Sequence, residues 1–198
     1  MQKLVYVTKN KGKYIAVLSH ARDLDVEIEF LSHEFLEPDV NDLEYISKKK
    51  AEEAYKITKS PCFVCDSGFY INNYPGCFGY PGAFVKRSGI STNIKNLLQI
   101  MTKVEDRSCY FVDVLTFYDG KNFYQFYGVS EGILAKSIKG NTKKEAKSNL
   151  WQVFIPKNHK HTLAEMSEEE FLNRKDFHTS ATLEFLNWYK FVYLKKVL

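Results

Sequence analysis

Cys62-Phe63-Val64-Cys65-Asp66-Ser67-Gly68 is the stretch whose reading decides the fold. An apolar run that ends in a carboxylate, a hydroxyl and a glycine predicts a strand covered on both faces, with chemistry at its tip. In open α/β sheets ligands bind just beyond the carboxyl ends of such strands. The residues that follow, Asn72-Asn73-Tyr74-Pro75-Gly76-Cys77-Phe78-Gly79-Tyr80-Pro81-Gly82, are dense in turn formers and predict an irregular functional loop, closed by the positive charges of Lys86 and Arg87. A core strand whose Asp66 only caps a turn is the non-functional reading of the same residues.

The 198 residues suffice for a buried core and are read as one folded unit, a single domain over 1–198, since no repeat, low-complexity segment or linker interrupts them. Hydrophobic residues at 44% and charged residues at 26% are ordinary for a globular chain, while aromatics at 15% promise stacking or dense packing. No apolar run approaches the about 18 residues that cross a bilayer, and the opening residues are too short for a secretory leader, so a cytoplasmic location and no membrane partner are expected. Four cysteines are too few for a disulfide framework and are expected to be reduced core thiols. Cys62 and Cys65, at i and i+3 of a strand, would point to opposite faces. A net charge of +4, scattered along the chain, excludes the clustered footprint of a nucleic-acid polymer binder and suits a small polyanion.

Upstream of the deciding stretch, Lys3 to Val7 reads as a first strand and Tyr14 to Leu18 begins a helix. Between them Thr8-Lys9-Asn10-Lys11-Gly12-Lys13 would place backbone N–H groups and lysines where an anion binds. It lacks the spacing of a P-loop. Val26 to Leu31 alternates as a second strand and leads into an acidic loop, where Glu34, Glu37 and Asp39 are candidate metal ligands. Magnesium takes one or two protein carboxylates with water and phosphate oxygens, so one of these together with Asp66 would suffice. A helix from about Asn41 to Thr58 carries the apolar stripe Leu43, Ile46, Ala54 and Ile57, and Lys50 completes the series. A lysine on an inward face needs an anion. A bound ligand is the expected one, so that removing Lys50 would leave the ligand-free protein no less stable.

Downstream, Thr92 to Thr102 reads as a helix. Ser108 to Tyr118 and Phe123 to Val129 form a hairpin around Asp119-Gly120-Lys121-Asn122, and Ser180 to Leu198 is a closing amphipathic helix. His159 and His161 lack a third ligand nearby and are expected to face solvent.

Together these motifs resemble the inosine triphosphate pyrophosphatase family, which hydrolyses deaminated purine nucleoside triphosphates such as ITP, dITP and XTP to the monophosphate and pyrophosphate. The likeness spans nearly the whole chain. The family's strand, T-G-N-x-x-K and helix appear with Thr8, Asn10 and Lys13 kept and Lys9 in place of glycine; its helix lysine falls on Lys50. Its acidic pair before Ser or Thr becomes Cys65-Asp66-Ser67, its P-G segment with a following lysine becomes Pro81-Gly82 to Lys86, and Thr162-Leu163-Ala164-Glu165-Met166 matches T-x-A-E-M.

The resemblance implies an α/β fold, a mixed central sheet flanked by helices with two lobes and a cleft, and a homodimer. It implies magnesium as cofactor, held by Asp66 and Glu37, with Asp66 directing a water onto the α-phosphorus. Lys13, Lys50 and Lys86 would take up the triphosphate charge, with Thr8, Asn10 and Ser67 at the phosphate oxygens. Three departures stand out. Cys65 replaces the first acidic residue. The base-reading F-G-[WY]-D is rewritten near Ser148-Asn149-Leu150-Trp151. The late S-H-R appears as Phe177-His178-Thr179, and Arg174 and Lys175 only approximate a lysine expected before it. Trp151, Phe154 and His178 are the aromatics available to stack on a base. The rewritten end leaves two alternatives, a nucleotide-binding protein that does not hydrolyse and a pyrophosphatase of a different nucleotide.

Overall fold

The computed structural model describes residues 4–141, 146, 148–174 and 180–197. Strand β1 (Leu4–Val7) is buried throughout and pairs in parallel with β2 (Ile28–Leu31), from Leu4↔Ile28 to Val7↔Leu31, and with the start of β3 (Cys62–Tyr74) at Val5↔Cys62 and Tyr6↔Phe63. Parallel neighbours need crossovers, and helices α1 (Lys11–Asp23) and α2 (Leu43–Thr58) supply them. The alternation of strand side chains sorts the two faces. Leu4, Tyr6 and Phe63 pack with Val17 and Ala21 of α1, whereas Val5, Val7, Cys62 and Val64 pack with Ala51 and Ala54 of α2. Cys62 and Cys65 therefore do face opposite ways, Cys65 packing against the α1 cluster.

The remaining strands are β4 (Cys77–Gly82), β5 (Ser108–Tyr118), β6 (Phe123–Leu134) and β7 (Phe154–Pro156). The sheet has seven strands in the order β2-β1-β3-β5-β6-β7, with β4 paired to β3, so the fold is mixed α/β as expected. The chain forms two compact units. One comprises Met1–Asp66, Asp113–Gly128 and His178–Leu198, the other Ser67–Val112 and Val129–Phe177, so that β3, β5 and β6 each contribute residues to both.

In the first unit the hairpin between β5 and β6 turns at Asp119, whose Oδ1 accepts from the backbone N–H groups of Lys121 and Asn122, and Gly120 takes the positive φ of 95° that the turn requires. Helix α6 (Ala181–Trp188), capped by Ser180, buries Ala181, Phe185 and Leu186 in the same cluster as Tyr6 and Phe63. In α2 the buried face is Leu43, Ile46, Ser47, Lys50, Ala51 and Ala54; Ile57 lies in the last turn and is exposed.

The second unit holds α3 (Val85–Ser88), α4 (Ile94–Ile100) and α5 (Glu168–Leu172). Its core gathers Phe69, Leu97, Met101, Leu134, Trp151 and Phe154. Buried Arg107 ties this unit's segments by donating to the carbonyls of Met101, Leu134 and Ala135 at 2.6–2.8 Å.

Two expectations are corrected here. Strand β3 does not stop after Asp66 but runs on to Tyr74. The stretch 72–82 is not an irregular loop but a hairpin, registered from Phe69↔Gly82 to Tyr74↔Cys77 across a Pro75-Gly76 turn with Gly76 at φ 79°. The apolar run marked only the part of β3 buried on both faces. Beyond it the burial alternates, with Phe69 and Ile71 inward, and the ring stack of Tyr74 on Tyr80 at 4.1 Å joins the two hairpin strands. No helix among the described residues is long and apolar enough to cross a membrane.

Candidate active site

Helix α1 opens the site. The side chain of Asn10 caps it by accepting from the backbone N–H of Lys13 at 3.1 Å, and Thr8 Oγ1 accepts from the N–H of Asn10 at 3.1 Å. These two bonds hold the loop after β1 in a fixed turn. The first turn of α1 carries no acidic residue, so the positive end of its dipole is not offset from within the helix. Lys13 reaches back to donate from Nζ to the carbonyl of Cys65 at 2.8 Å, bringing its ammonium to the part of β3 that precedes Asp66. Lys9, in the same loop, pairs with Glu34 at 2.5 Å on the surface.

The centre of the site lies on the α2 face. Lys50 and Asp66 are each only 7% exposed, and Lys50 Nζ lies 2.5 Å from Asp66 Oδ1 and 2.9 Å from Glu37 Oε1. Burial works against the ammonium, but Asp66 first and then Glu37 outweigh it and hold the lysine above its ordinary value. Phe35 lies beside it, with Lys50 Nζ 5.9 Å from the ring centroid. The expectation that Lys50 waits for a ligand as its anion is therefore corrected: the chain itself supplies two carboxylates.

Asp66 Oδ2 is buried with no hydrogen-bond partner. A buried carboxylate oxygen of this kind is costly unless a cation or donor meets it. Two carboxylates from different elements, joined by one ammonium and with one oxygen unmet, fit a hard divalent cation. Among the described residues no group of three or more His, Cys, Asp or Glu side chains is placed to hold a metal, so water and phosphate oxygens would have to complete the coordination. Of the three acidic candidates in the loop, Glu37 is the one that Lys50 joins to Asp66; Glu34 is engaged with Lys9.

Thr8, Asn10, Lys13, Glu37, Lys50 and Asp66 all belong to the first unit. Ser67 follows Asp66 on β3, and Lys86 stands exposed on α3 of the second unit. Trp151 is 6% exposed within the second unit's core, its ring 5.3 Å from Phe171. Phe154 is completely buried and cannot stack on a base. His178 lies outside the described residues. Among the thiols Cys62 and Cys109 are buried as expected, but Cys77, at the start of β4, is exposed. His161 is exposed and bonds Glu170 at 3.0 Å.

The sequence reading missed Phe35 and Tyr6 as neighbours of the site, and it placed Lys9 in the anion-binding loop without its pairing to Glu34. A phenylalanine inside an acidic loop was the one available signal for Phe35. Nothing in the sequence pattern pointed to Tyr6, whose hydroxyl is fully buried near the charged end of β3.

The sequence pattern of the Ham1 family matches residues 4–188. A dITP/XTP pyrophosphatase of Saccharolobus solfataricus is 36% identical over 171 residues, covering 85% of this chain and 84% of that protein. One from Pyrococcus horikoshii is 28% identical over 188 residues, covering 95% and 97%. Among solved structures, a HAM1 protein from Coxiella burnetii superposes with a TM-score of 0.73 at 22% identity, covering 97% of this chain and 99% of that one, and so shares the fold.

Proposed function

This chain belongs to the Ham1 family, and we propose that it hydrolyses deaminated purine nucleoside triphosphates, dITP, XTP and ITP, to the monophosphate and pyrophosphate. The observation that carries this reading is the buried pair Lys50 and Asp66, joined by the half-exposed Glu37 and with one Asp66 oxygen unmet, beside a helix start that suits an anion.

Asp66 and Glu37 would hold a divalent cation, magnesium by the chemistry of the donors, which supplies charge neutralisation of the triphosphate. Asp66 orients a water whose oxygen bonds to the α-phosphorus while the bond from that phosphorus to the bridging oxygen of the β-phosphate breaks. Lys50, fixed by the two carboxylates, and Lys13, fixed on the Cys65 carbonyl, take up the charge that develops on the phosphate oxygens. Thr8 and Asn10 shape the loop that receives the phosphates.

Four further residues enter each as a proposal of its own: Ser67 and Lys86 for phosphate oxygens, Trp151 and His178 for the base. A homodimer working in the cytoplasm is proposed with them, the four free cysteines being in keeping with a reducing compartment. Light scattering on the purified protein tests the dimer.

The function itself is tested by incubating the protein with magnesium and a panel of nucleoside triphosphates and scoring pyrophosphate. Release from dITP, XTP and ITP supports it; release of orthophosphate alone, or none from any nucleotide, overturns it.

A further inference from the structure

Residues 32–42 belong to no helix or strand, yet they carry Glu37, one of the two carboxylates that meet Lys50. Side chains therefore bear on where Glu37 comes to rest. From Ser32 to Glu37 the exposure alternates: Ser32, Glu34 and Leu36 are exposed, whereas His33, Phe35 and Glu37 are partly covered. Such alternation marks an extended segment with one side against the protein. Leu36, 90% exposed, belongs to the side that faces water.

The covered side lies along α2, and each of its residues meets a different point there. His33 Nε2 bonds Glu53 Oε1 at 2.7 Å, Phe35 packs against the cluster of Ala51 and Ala54, and Glu37 Oε1 accepts from Lys50 Nζ at 2.9 Å. Lys50 and Glu53, at i and i+3, are neighbours on one face of the helix. The contacts occur in reverse order along α2, so the segment runs back against it. The rings of His33 and Phe35 meet edge to face with centroids 4.8 Å apart, and Phe35 in turn lies beside Lys50. A carboxylate only accepts hydrogen bonds, so the nitrogen of His33 that faces Glu53 is the donor. On the other side of the segment Glu34 pairs with Lys9. All of these residues belong to the first unit.

We propose that His33 is a positioning residue of the active site. Its bond to Glu53 and its ring contact with Phe35 fix the register of the segment 33–37 along α2, and so hold Glu37 where it meets Lys50 and the cation. The inference rests on the function proposed above, and within it on Glu37 as a ligand. A slip of one residue would turn Glu37 outward and bring Leu36 or Pro38 to the site. Asp66 and Lys50, carried by a strand and a helix, have a backbone ladder to fix them; Glu37 has this row of side chains.

The test separates this role from plain packing. In magnesium titrations of pyrophosphate release from dITP, His33→Ala is expected to raise the half-saturating magnesium concentration about 5 to 10-fold, the combined scale of a partly exposed ion pair and one ring contact, with kcat at saturating magnesium kept within about 2-fold. His33→Gln retains a donor for Glu53 and should recover most of that loss. In the metal-free protein, chymotrypsin should cut His33→Ala after Phe35 or Leu36 about 5 to 10-fold faster than wild type. An active wild-type protein whose His33→Ala variant keeps its magnesium requirement, or its rate of cutting at these two residues, overturns this inference alone. So does a His33→Gln variant no better than His33→Ala. A wild-type protein inactive on every deaminated purine triphosphate overturns the proposed function and this inference with it. Should His33→Ala fail to fold, Glu53→Ala decides by the same two readouts: a raised magnesium requirement with faster cutting supports the role, and either one unchanged refutes it.

Discussion

Lys50 Nζ donates to Asp66 Oδ1 across 2.5 Å, from an inward position of α2 to a residue of β3, with both side chains almost entirely out of water. In the ligand-free protein each of these charges is the other's main compensation. Removing one leaves the other buried and unpaired, which costs about 3 to 5 kcal/mol. Lys50→Met is therefore expected to destabilise the metal-free protein by a sizeable part of that amount, partly relieved because Glu37 lies closer to solvent. Combining it with Asp66→Asn should recover most of the loss. Urea unfolding of the two single variants and the double variant measures the coupling; additive effects would show that the pair does not act as one unit.

Lys50 was legible in the sequence only in part. A lysine that completes an apolar helical stripe demands an anion, which the sequence pattern assigned to a bound ligand; in the structure Asp66 and Glu37 of the chain itself supply it. The β1, α1, β2, α2 order was legible for a related reason, because the apolar period changes from strand to helix and back within short segments. What the pattern could not give was the continuation of β3. Gly76, Gly79 and the two prolines of 72–82 look the same in a loop as in a twisted hairpin, and only pairing between Tyr74 and Cys77 tells them apart. The exposure of Trp151 and Phe154 was illegible because it depends on which distant segments cover them. Thr162 and Glu165 of the matched T-x-A-E-M turn out to bond each other, Glu165 Oε2 accepting from the N–H and hydroxyl of Thr162 at 3.0 Å, so these two positions form a local turn.

That turn gives a stability prediction. The Thr162 backbone N–H, ahead of its hydroxyl, lowers the Glu165 carboxyl from its ordinary value. A depressed carboxylate adds stability above its unfolded value and loses it as pH falls through the folded one. Glu165→Gln should accordingly melt slightly lower than wild type at neutral pH, with the difference shrinking in acid. Thermal melts at neutral pH and near pH 3.5 check this.

The thiols respond to alkali in the opposite sense. Burial raises Cys62 from 9.0 to about 11, and Cys109 is raised further. The unfolded chain ionises these thiols first, so their contribution to stability is intact below pH 9 and declines as pH rises towards 11. Cys62→Ala should flatten part of that decline while making the protein less stable at neutral pH. Exposed Cys77 should react with an alkylating reagent in the native state well before Cys62 or Cys109, which peptide mapping would show.

Base choice follows from the rewritten segment Ser148 to Trp151. A site that hydrogen-bonds a base edge rejects the wrong base by about 10,000-fold or more, whereas an apolar pocket discriminates by about 10 to 200-fold. Trp151 is almost fully buried and has one donor. The preference for ITP over ATP is expected to fall in the lower range. A ratio of kcat/KM of several thousand would show that other residues read the base.

The most direct measurement is pyrophosphate release from dITP with magnesium, comparing wild type with Asp66→Asn and recording a melting curve for each. On the proposed mechanism Asp66 holds the cation and directs the water, so the variant should lose about 100 to 10,000-fold in kcat, the range for a positioned base, while still melting cooperatively. Wild-type turnover by a folded Asp66→Asn protein would contradict the account.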